Sequence, residues 1–368
     1  MFLKLFFAFF ALSMAMPTYA QIFDIEVVDY DGLDAAMYAP VRAVLDAELQ
    51  KAKNEVNGDF PSGTPDRLME GMANSSAMAG KGIGTDYASN MSVFLIGAGV
   101  GVGADLAKPK GTDSDLSGVG VAPGFIIGLN LGFLDAERIL GMHTDRLNLY
   151  FNFMNYKHKQ VLSDKAGEES DINLEMLSFG THVRYDWITG AGNKALGWGG
   201  VKLNFGFEYN RTNFDFKTKI SEDIDETVSS TGDRIQGTVS GNPQASILAS
   251  TMSIPVALST DIQILYFVSL YTGLGVDYNM GEAKGKGDLN GNNSTLSCTG
   301  GTACSSPNRT IVVKPRANLD TSAKVDPFTY RAFAGFQFNL PWTRVFVQVD
   351  KSLSNDLIGA TGGVRFAF

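Results

Sequence analysis

Strict alternation of apolar and polar residues dominates the chain from about Asn90 to its last residue. In one segment Phe125, Ile127 and Leu129 share a parity, and in another Phe151 and Phe153 do so while Asn148 and Asn152 hold the opposite parity. Segments of about ten residues with this period are typical of transmembrane barrel strands, in which lipid-facing and lumen-facing residues alternate. The pattern predicts an all-β membrane barrel of about ten antiparallel strands.

The strand count has one open alternative. Arg234–Ser240 and Thr310–Lys314 also have the composition of strands. A barrel of about twelve strands is therefore the alternative.

A soluble β-sandwich would also alternate, and the connections and aromatic residues decide against it. Short connections alternate with long polar ones, which outer-membrane barrels place outside the cell. Trp187, Trp198 and Trp342 fall beside short connections, and the outward Phe368 ends the chain, as expected of aromatic residues at one membrane interface. The predicted short turns are 134–146, 188–199, 259–263 and 341–343. The predicted external loops are 105–119, 159–171, 214–247 and 280–326, with a tight hairpin at 353–356 among them.

The region before the barrel divides into two predicted segments. Residues 1–20 have a lysine, a short apolar run and small residues before a cleavage site after Ala20, which indicates a signal peptide. Residues 21–90 form a helical N-terminal segment, predicted to plug or cap the periplasmic mouth of a barrel that spans 91–368. Within it, apolar residues spaced three and four positions apart predict an amphipathic helix that begins at Pro40. The sequence of Asp66–Ala79 is compatible with a short second helix.

Two stretches carry a resemblance to known families. The terminal Val364–Phe368 resembles the C-terminal recognition strand of outer-membrane proteins, which implies the barrel-assembly machinery as a partner. Pro65–Ala88, read with the glycine-rich first strand, is similar to a family of spirochaete and predatory-bacterium surface proteins, some of them described as host-matrix adhesins. That resemblance covers chiefly residues 60–105 and implies adhesion, without any catalytic motif.

Candidate catalytic and cofactor residues are few. The three histidines, His143, His158 and His182, do not assemble with a nucleophile and an orienting partner, so no enzyme is expected. The glycine run from Gly97 to Gly103 lacks the βαβ context of a dinucleotide site, and no cofactor or metal site is predicted. Cys298 and Cys304 are predicted to form a local disulfide in the loop 280–326 of an exported protein.

Charged residues of both signs fall on the inward parity of the strands. Lumen-filling ion pairs are the favoured interpretation, because side chains fill the interior of a small barrel. These residues are Arg184, Asp186, Lys202, Glu208, Arg331, Arg344, Asp350 and Arg365. A hairpin at 353–356 would place Arg344 opposite Arg365, and we expect the acidic run Asp24, Glu26, Asp29, Asp31 and Asp34 to supply their anionic partners.

These patterns predict a surface-exposed, non-enzymatic protein of the bacterial outer membrane whose long loops mediate recognition or adhesion. The alternative is a plugged transporter or small channel for hydrophobic molecules. The expected partners are outer-membrane lipid and an extracellular ligand or surface. Nucleic acid is not expected, because the net charge is -9 and the basic residues are scattered.

Overall fold

The structure is a computed structural model, and it describes eleven stretches of the chain. They are 25–27, 65–88, 93–106, 117–134, 137–163, 169–193, 195–228, 232–291, 294–300, 304–313 and 315–368. The predicted signal peptide, the predicted helix from Pro40 onward and the acids Asp24, Asp29, Asp31 and Asp34 lie outside the described residues.

The described residues form one α-helix and seventeen strands, apart from two short 3₁₀ turns at Leu131–Phe133 and Thr144–Arg146. The helix is α1 (Pro65–Ala79), close to the run predicted from the sequence. The strands are β1 (Ile25–Val27), β2 (Phe94–Asp105), β3 (Gly118–Asn130), β4 (Arg138–Ile139), β5 (Met142–His143), β6 (Leu147–Ser163), β7 (Glu169–Gly192), β8 (Leu196–Thr218), β9 (Ile220–Val228), β10 (Asp233–Ile264), β11 (Val268–Gly291), β12 (Ser294–Gly300), β13 (Cys304–Val313), β14 (Pro315–Lys324), β15 (Phe328–Asn339), β16 (Thr343–Ser352) and β17 (Leu357–Ala367).

Ten of these strands close into a ring of antiparallel pairs, which confirms the predicted barrel and its strand number. The order around the ring is β2, β3, β6, β7, β8, β10, β11, β15, β16 and β17, and β17 pairs with β2. Of the two strand-like segments behind the twelve-strand alternative, Arg234–Ser240 lies within β10 and residues 310–313 end β13. They pair outside the ring, with β9 and β12.

The two ends of the barrel differ. At one end, here the short-turn end, β10 and β11 are joined by Leu265–Phe267, and β15 and β16 by Leu340–Trp342. At the other end, here the long-loop end, strands continue beyond the ring, and β9, β12, β13 and β14 extend the sheet. By the usual orientation of outer-membrane barrels, the long-loop end faces outward.

Three of the predicted external loops are therefore largely strand. The β6–β7 ladder continues to Ser163 opposite Glu169, so most of the predicted loop 159–171 is a hairpin. Regions 214–247 and 280–326 likewise contain β9 and β12–β14. Polar residues occur on both faces of these extensions, so the hydrophobic period by which a strand is detected is weak, while ladder pairing still satisfies the backbone.

The predicted turn at 259–263 is also wrong. β10 runs on to Ile264, and the turn is made by Leu265, Tyr266 and Phe267. Leu265 and Tyr266 have φ angles of 49° and 59°. Sequence rules expect asparagine or glycine at such positions, so this apolar turn gave no signal.

α1 lies inside the ring, which confirms a plug, but it enters from the unexpected end. Arg67, in its first turn, contacts Asp105 at the long-loop end of β2. Ala88, beyond the helix, lies at the short-turn mouth beside Arg344. β1 also pairs with β14 at the long-loop end, with Glu26 opposite Arg316. The prediction that Glu26 lies at the short-turn mouth with Arg344 and Arg365 is therefore wrong, whereas Gly80–Ala88 of the same N-terminal segment reaches that mouth.

The seam between β3 and β6 is paired over only half its height. The ladder runs from Asn130 opposite Asn148 to Phe125 opposite Phe153 and stops next to Pro123, which has no N–H to donate. Beyond this point the outward-parity Val121 is buried against Leu174 and Met176 of β7. The outer half of β3 is thus covered by its neighbours instead of facing lipid.

No described helix is long and apolar enough to cross a membrane.

Candidate functional site in the filled lumen

The plug consists of α1 and the segment Gly80–Ala88, and glycines allow it to lie against the wall. A Cβ at Gly103 or Gly120 would overlap backbone atoms of Ser75, so the helix backbone touches β2 and β3 directly. A Cβ at Gly84 would overlap the His182 ring. The alternating glycines of β2 therefore leave room for the plug on the inner face of the wall.

The first charged cluster, the Lys81 cluster, lies midway along the lumen. Lys81 Nζ donates to Glu208 Oε2 at 2.7 Å and lies 3.8 Å from Asp277 Oδ1. Arg331 bridges Asp277 at 2.9 Å and Asp350 at 2.7 Å. All five side chains are almost fully buried, so each charge depends on the others for compensation.

The second cluster, the Asp86 cluster, lies toward the short-turn end. Arg344 pairs with Arg365 across the β16–β17 ladder, at the register expected from the sequence. Asp86 of the plug lies between them, with Oδ2 3.0 Å from Arg344 Nη1 and Oδ1 3.7 Å from Arg365 Nη1. Its backbone carbonyl accepts a hydrogen bond from Arg184. The acid found between the two arginines is therefore Asp86, which the sequence analysis overlooked.

Backbone carbonyls of the plug satisfy further cations and hydroxyls of the wall. Arg365 Nη2 donates to Thr85 O at 2.8 Å, and Lys202 Nζ donates to Tyr87 O at 2.9 Å and to Asp261 at 2.5 Å. Thr361 Oγ1 donates to Lys81 O at 2.6 Å. The segment after α1 has no regular structure. Hydrogen bonds from these wall side chains therefore satisfy its backbone carbonyls, as strand pairing would in a sheet.

The charges predicted to line the lumen lie in these two clusters or in ion pairs beside them. Arg184 of the Asp86 cluster lies 3.2 Å from Asp186, and Lys202 pairs with Asp261. The eight predicted residues comprise five cations and three acids, an imbalance that points to further acids within the lumen. The structure adds Lys81, Asp86, Asp261 and Asp277, which gives six cations and six carboxylates. They are Lys81, Arg184, Lys202, Arg331, Arg344 and Arg365 with Asp86, Asp186, Glu208, Asp261, Asp277 and Asp350.

Aromatic and apolar contacts complete the filling. Tyr87 stacks on Tyr271 with ring centroids 5.8 Å apart and lies 4.7 Å from the Phe333 ring. The Arg365 guanidinium lies 3.6 Å from the centroid of Phe346. Closer to the long-loop end, Met69 and Ala73 of α1 pack against Ala249 and Ala283 of the wall. The plug therefore contacts the wall through apolar, aromatic and charged groups at successive levels.

The remaining predicted site residues are dispersed. Trp187, Trp198, Trp342 and Phe368 are all exposed at the short-turn end. His182 is buried beside Glu208, His143 ends β5, and His158 stacks on Tyr156. Cys298 lies in β12 opposite Arg309, and Cys304 begins β13 opposite Gly300, so the disulfide between them stays a prediction.

The exterior of the ring is apolar. Phe125 and Leu274, on the outward parity, are 61% and 63% exposed, whereas the inward Arg184 and Asp350 are fully buried. This distribution is the reverse of that of a soluble protein and is expected where lipid surrounds the wall. Ring, exterior and plug together define a plugged β-barrel protein of the bacterial outer membrane.

Within that class, the chain belongs to the Lsa36-like family, whose model matches residues 19–368. The comparison with curated proteins finds no significant match.

Solved structures similar to this chain are also outer-membrane barrels. The transport unit of the autotransporter AIDA-I from Escherichia coli is 11% identical over 80% of this chain and 96% of that one, with a TM-score of 0.32. The translocator domain of NalP from Neisseria meningitidis is 11% identical over 91% and 100%, with a TM-score of 0.29. Ail, the attachment invasion locus protein of Yersinia pestis, is 13% identical over 75% and 99%, with a TM-score of 0.20. With TM-scores this low, the assignment depends on the chain's own ring and exterior.

Proposed function

We propose that this protein is a non-enzymatic recognition protein that displays β-hairpins outside the cell on a sealed barrel. The observation that carries the proposal is the contrast between the two ends of the barrel. The short-turn end has compact connections. At the long-loop end β9, β12 and β13 extend the barrel sheet beyond the ring on the outer part of β10, and these strands form the projecting sheet. Loops and hairpins on a rigid scaffold are common recognition surfaces.

The projecting sheet is ordered by its own contacts. Arg234 donates to both carboxylate oxygens of Asp225 at 2.7 and 2.6 Å, and this hydrogen bonding lowers the pKa of the Asp225 carboxyl. Ser297 Oγ donates to Gln236 O at 3.0 Å, which joins β12 to β10. These contacts support a surface of defined shape. The resemblance of Pro65–Ala88 to adhesin-like surface proteins suggests a host matrix as its target.

The filled lumen weighs against the transport alternative. Lys81 and Asp86 form buried ion pairs with several strands, so an opening would have to separate charges that lie away from water. The described lumen thus favours a scaffold over a channel.

The test is adhesion of bacteria that display the chain to a surface coated with basement-membrane extract. A variant that lacks Ile220–Gly241 and Ser294–Val313 removes the projecting sheet but keeps the ring, because Lys217 pairs with Gln244 and Ser294 with Val313. We expect this variant to bind at the level of cells that carry an empty vector.

The matched control removes β4 and β5 (Arg138–His143) at the short-turn end, where Glu137 and Thr144 are already hydrogen-bonded. It should bind as the full chain does. Full-chain cells that bind no better than the vector cells, or a sheet-deleted variant that binds normally, would contradict the proposal. Heat-modifiable migration on a gel checks that each variant is folded.

A further inference from the structure

The outer face of β6, β7 and β8 changes from apolar to polar at one level along the three strands. Phe153, Phe179 and Tyr209 lie side by side across the three strands and end the apolar exterior there. The next outward row, toward the long-loop end, is Asn155, Leu177 and Arg211, and the row after it is Lys157, Glu175 and Asn213. Polar and charged groups therefore begin where the apolar exterior stops, at the height of lipid headgroups.

These two rows surround an open surface cavity of about 170 Å³. Its lining consists of Lys157, Glu175, Arg211, the amides of Asn155 and Asn213, and the apolar Met176 and Leu177. Two cations and one carboxylate give the lining a net positive charge. The Asn155 amide adds a neutral hydrogen-bond donor, whereas Asn213 Nδ2 already donates to Asp215 at 3.0 Å.

Arg211 is the unusual member of this group. Lys157 Nζ lies 3.0 Å from Glu175 Oε1, so that lysine already has an anionic partner. Among the described residues, the exposed guanidinium of Arg211 has neither an ion-pair nor a hydrogen-bond partner. A guanidinium fork matches the oxygens of a phosphate, and the row below it offers aromatic side chains to acyl chains.

We propose that this cavity binds the phosphate of a lipid headgroup in the outer leaflet, through Arg211 and Lys157, with the acyl chains over Phe153, Phe179 and Tyr209. Glu175 opposes the binding, because it neutralises Lys157 and repels the phosphate. The site depends on the membrane location of the barrel and is independent of the proposed adhesion.

The experiment uses the refolded full chain in neutral detergent, titrated with diphosphorylated lipid A, and follows the unfolding temperature on a heat-modifiability gel. Arg211→Gln should raise the half-saturating lipid concentration by at least about fivefold, the expected consequence of losing one charged contact. Glu175→Gln should lower it, and such a gain would not follow if these residues had only a structural role.

Lys351→Gln is the matched control, because Lys351 is an exposed cation directly beyond the outward Val349 but has Asp356 at 3.8 Å as a partner within the chain. It should leave the titration unchanged. The proposal is overturned if Arg211→Gln titrates as the wild type does, or if lipid A without its phosphates stabilises the wild type equally. It is also overturned if inorganic phosphate alone reproduces the stabilisation, which would indicate a free anion instead of a lipid.

Discussion

At the residue scale, Asp86 connects the plug to both arginines of the last hairpin. Its carboxylate is 1% exposed and contacts Arg344 and Arg365, while its backbone carbonyl accepts a hydrogen bond from Arg184. Removal of one partner from a buried ion pair leaves an uncompensated charge away from water.

We therefore predict that Asp86→Asn lowers the free energy of unfolding by about 3–5 kcal/mol. A denaturant titration of the refolded barrel measures this, and Arg344→Gln in the same chain should restore part of the loss because it removes the stranded charge. Asp225→Asn, in an exposed pair, is the control and should change little. Equal stability of Asp86→Asn and the wild type would show that the arginines obtain their compensation elsewhere.

An arginine substitution should destabilise outward-facing and inward-facing positions of the barrel for different reasons. Phe205 is 53% exposed on the exterior, so Phe205→Arg should cost about 2–4 kcal/mol if it lies near the bilayer midplane. From the alternation alone, arginine at the inward Asn152 would seem tolerable. The structure packs Asn152 against Gly84 of the plug, so Asn152→Arg should also destabilise the protein, through overpacking.

Lipid distinguishes the two effects. The cost of Phe205→Arg should decrease when the barrel is refolded in short-chain detergent, whereas the cost of Asn152→Arg should not. If both costs changed in parallel between the two media, the assignment of Phe205 to the lipid face would be wrong.

At the element scale, the partial pairing of β3 with β6 changes the surroundings of an outward-facing valine. Such a valine on β3 is buried, whereas one on a fully paired strand is exposed. Val121 is 6% exposed because it packs on Leu174 and Met176, whereas the equally outward Val347 is 47% exposed on β16. We predict that Val121→Ala costs about 1 kcal/mol through the cavity that it leaves, and that Val347→Ala costs clearly less. Equilibrium unfolding of both variants measures the difference. Equal costs would mean that β6 and β7 do not cover this part of β3 in the membrane.

Strands with one apolar and one polar face could be predicted from the sequence, and their extensions could not. Val345, Val347 and Val349 alternate with polar residues, so β16 and its register with β17 were predictable down to Arg344 opposite Arg365. β9 and the outer part of β10 carry polar residues on both faces and lie in the predicted external loop 214–247, although Arg234–Ser240 also has the composition of a strand. The turn at Leu265 and Tyr266 was missed because neither residue favours a positive φ.

At the scale of the whole molecule, the plug was predictable and its path was not. The amphipathic run Asp66–Ala79 required a surface to cover its apolar stripe, and a barrel interior offers one. Its direction depends on long-range contacts such as Arg67 with Asp105 and Asp86 with Arg344, which no local pattern encodes. Lys81 and Asp86 themselves lie in a segment without periodicity. The excess of cations on the strands indicated a further acid such as Asp86 but gave no sign of Lys81.

We propose that a plug held by buried ion pairs seals the ten-stranded barrel. The most direct test is the single-channel conductance of the refolded full chain in a planar bilayer, with heat-modifiable migration as the check that the inserted protein is folded. We expect a silent bilayer at every protein concentration, because α1 and Gly80–Ala88 fill the lumen from the long-loop end to the short-turn mouth. A steady conductance that grows with the amount of inserted protein would contradict the sealed barrel and favour the channel alternative.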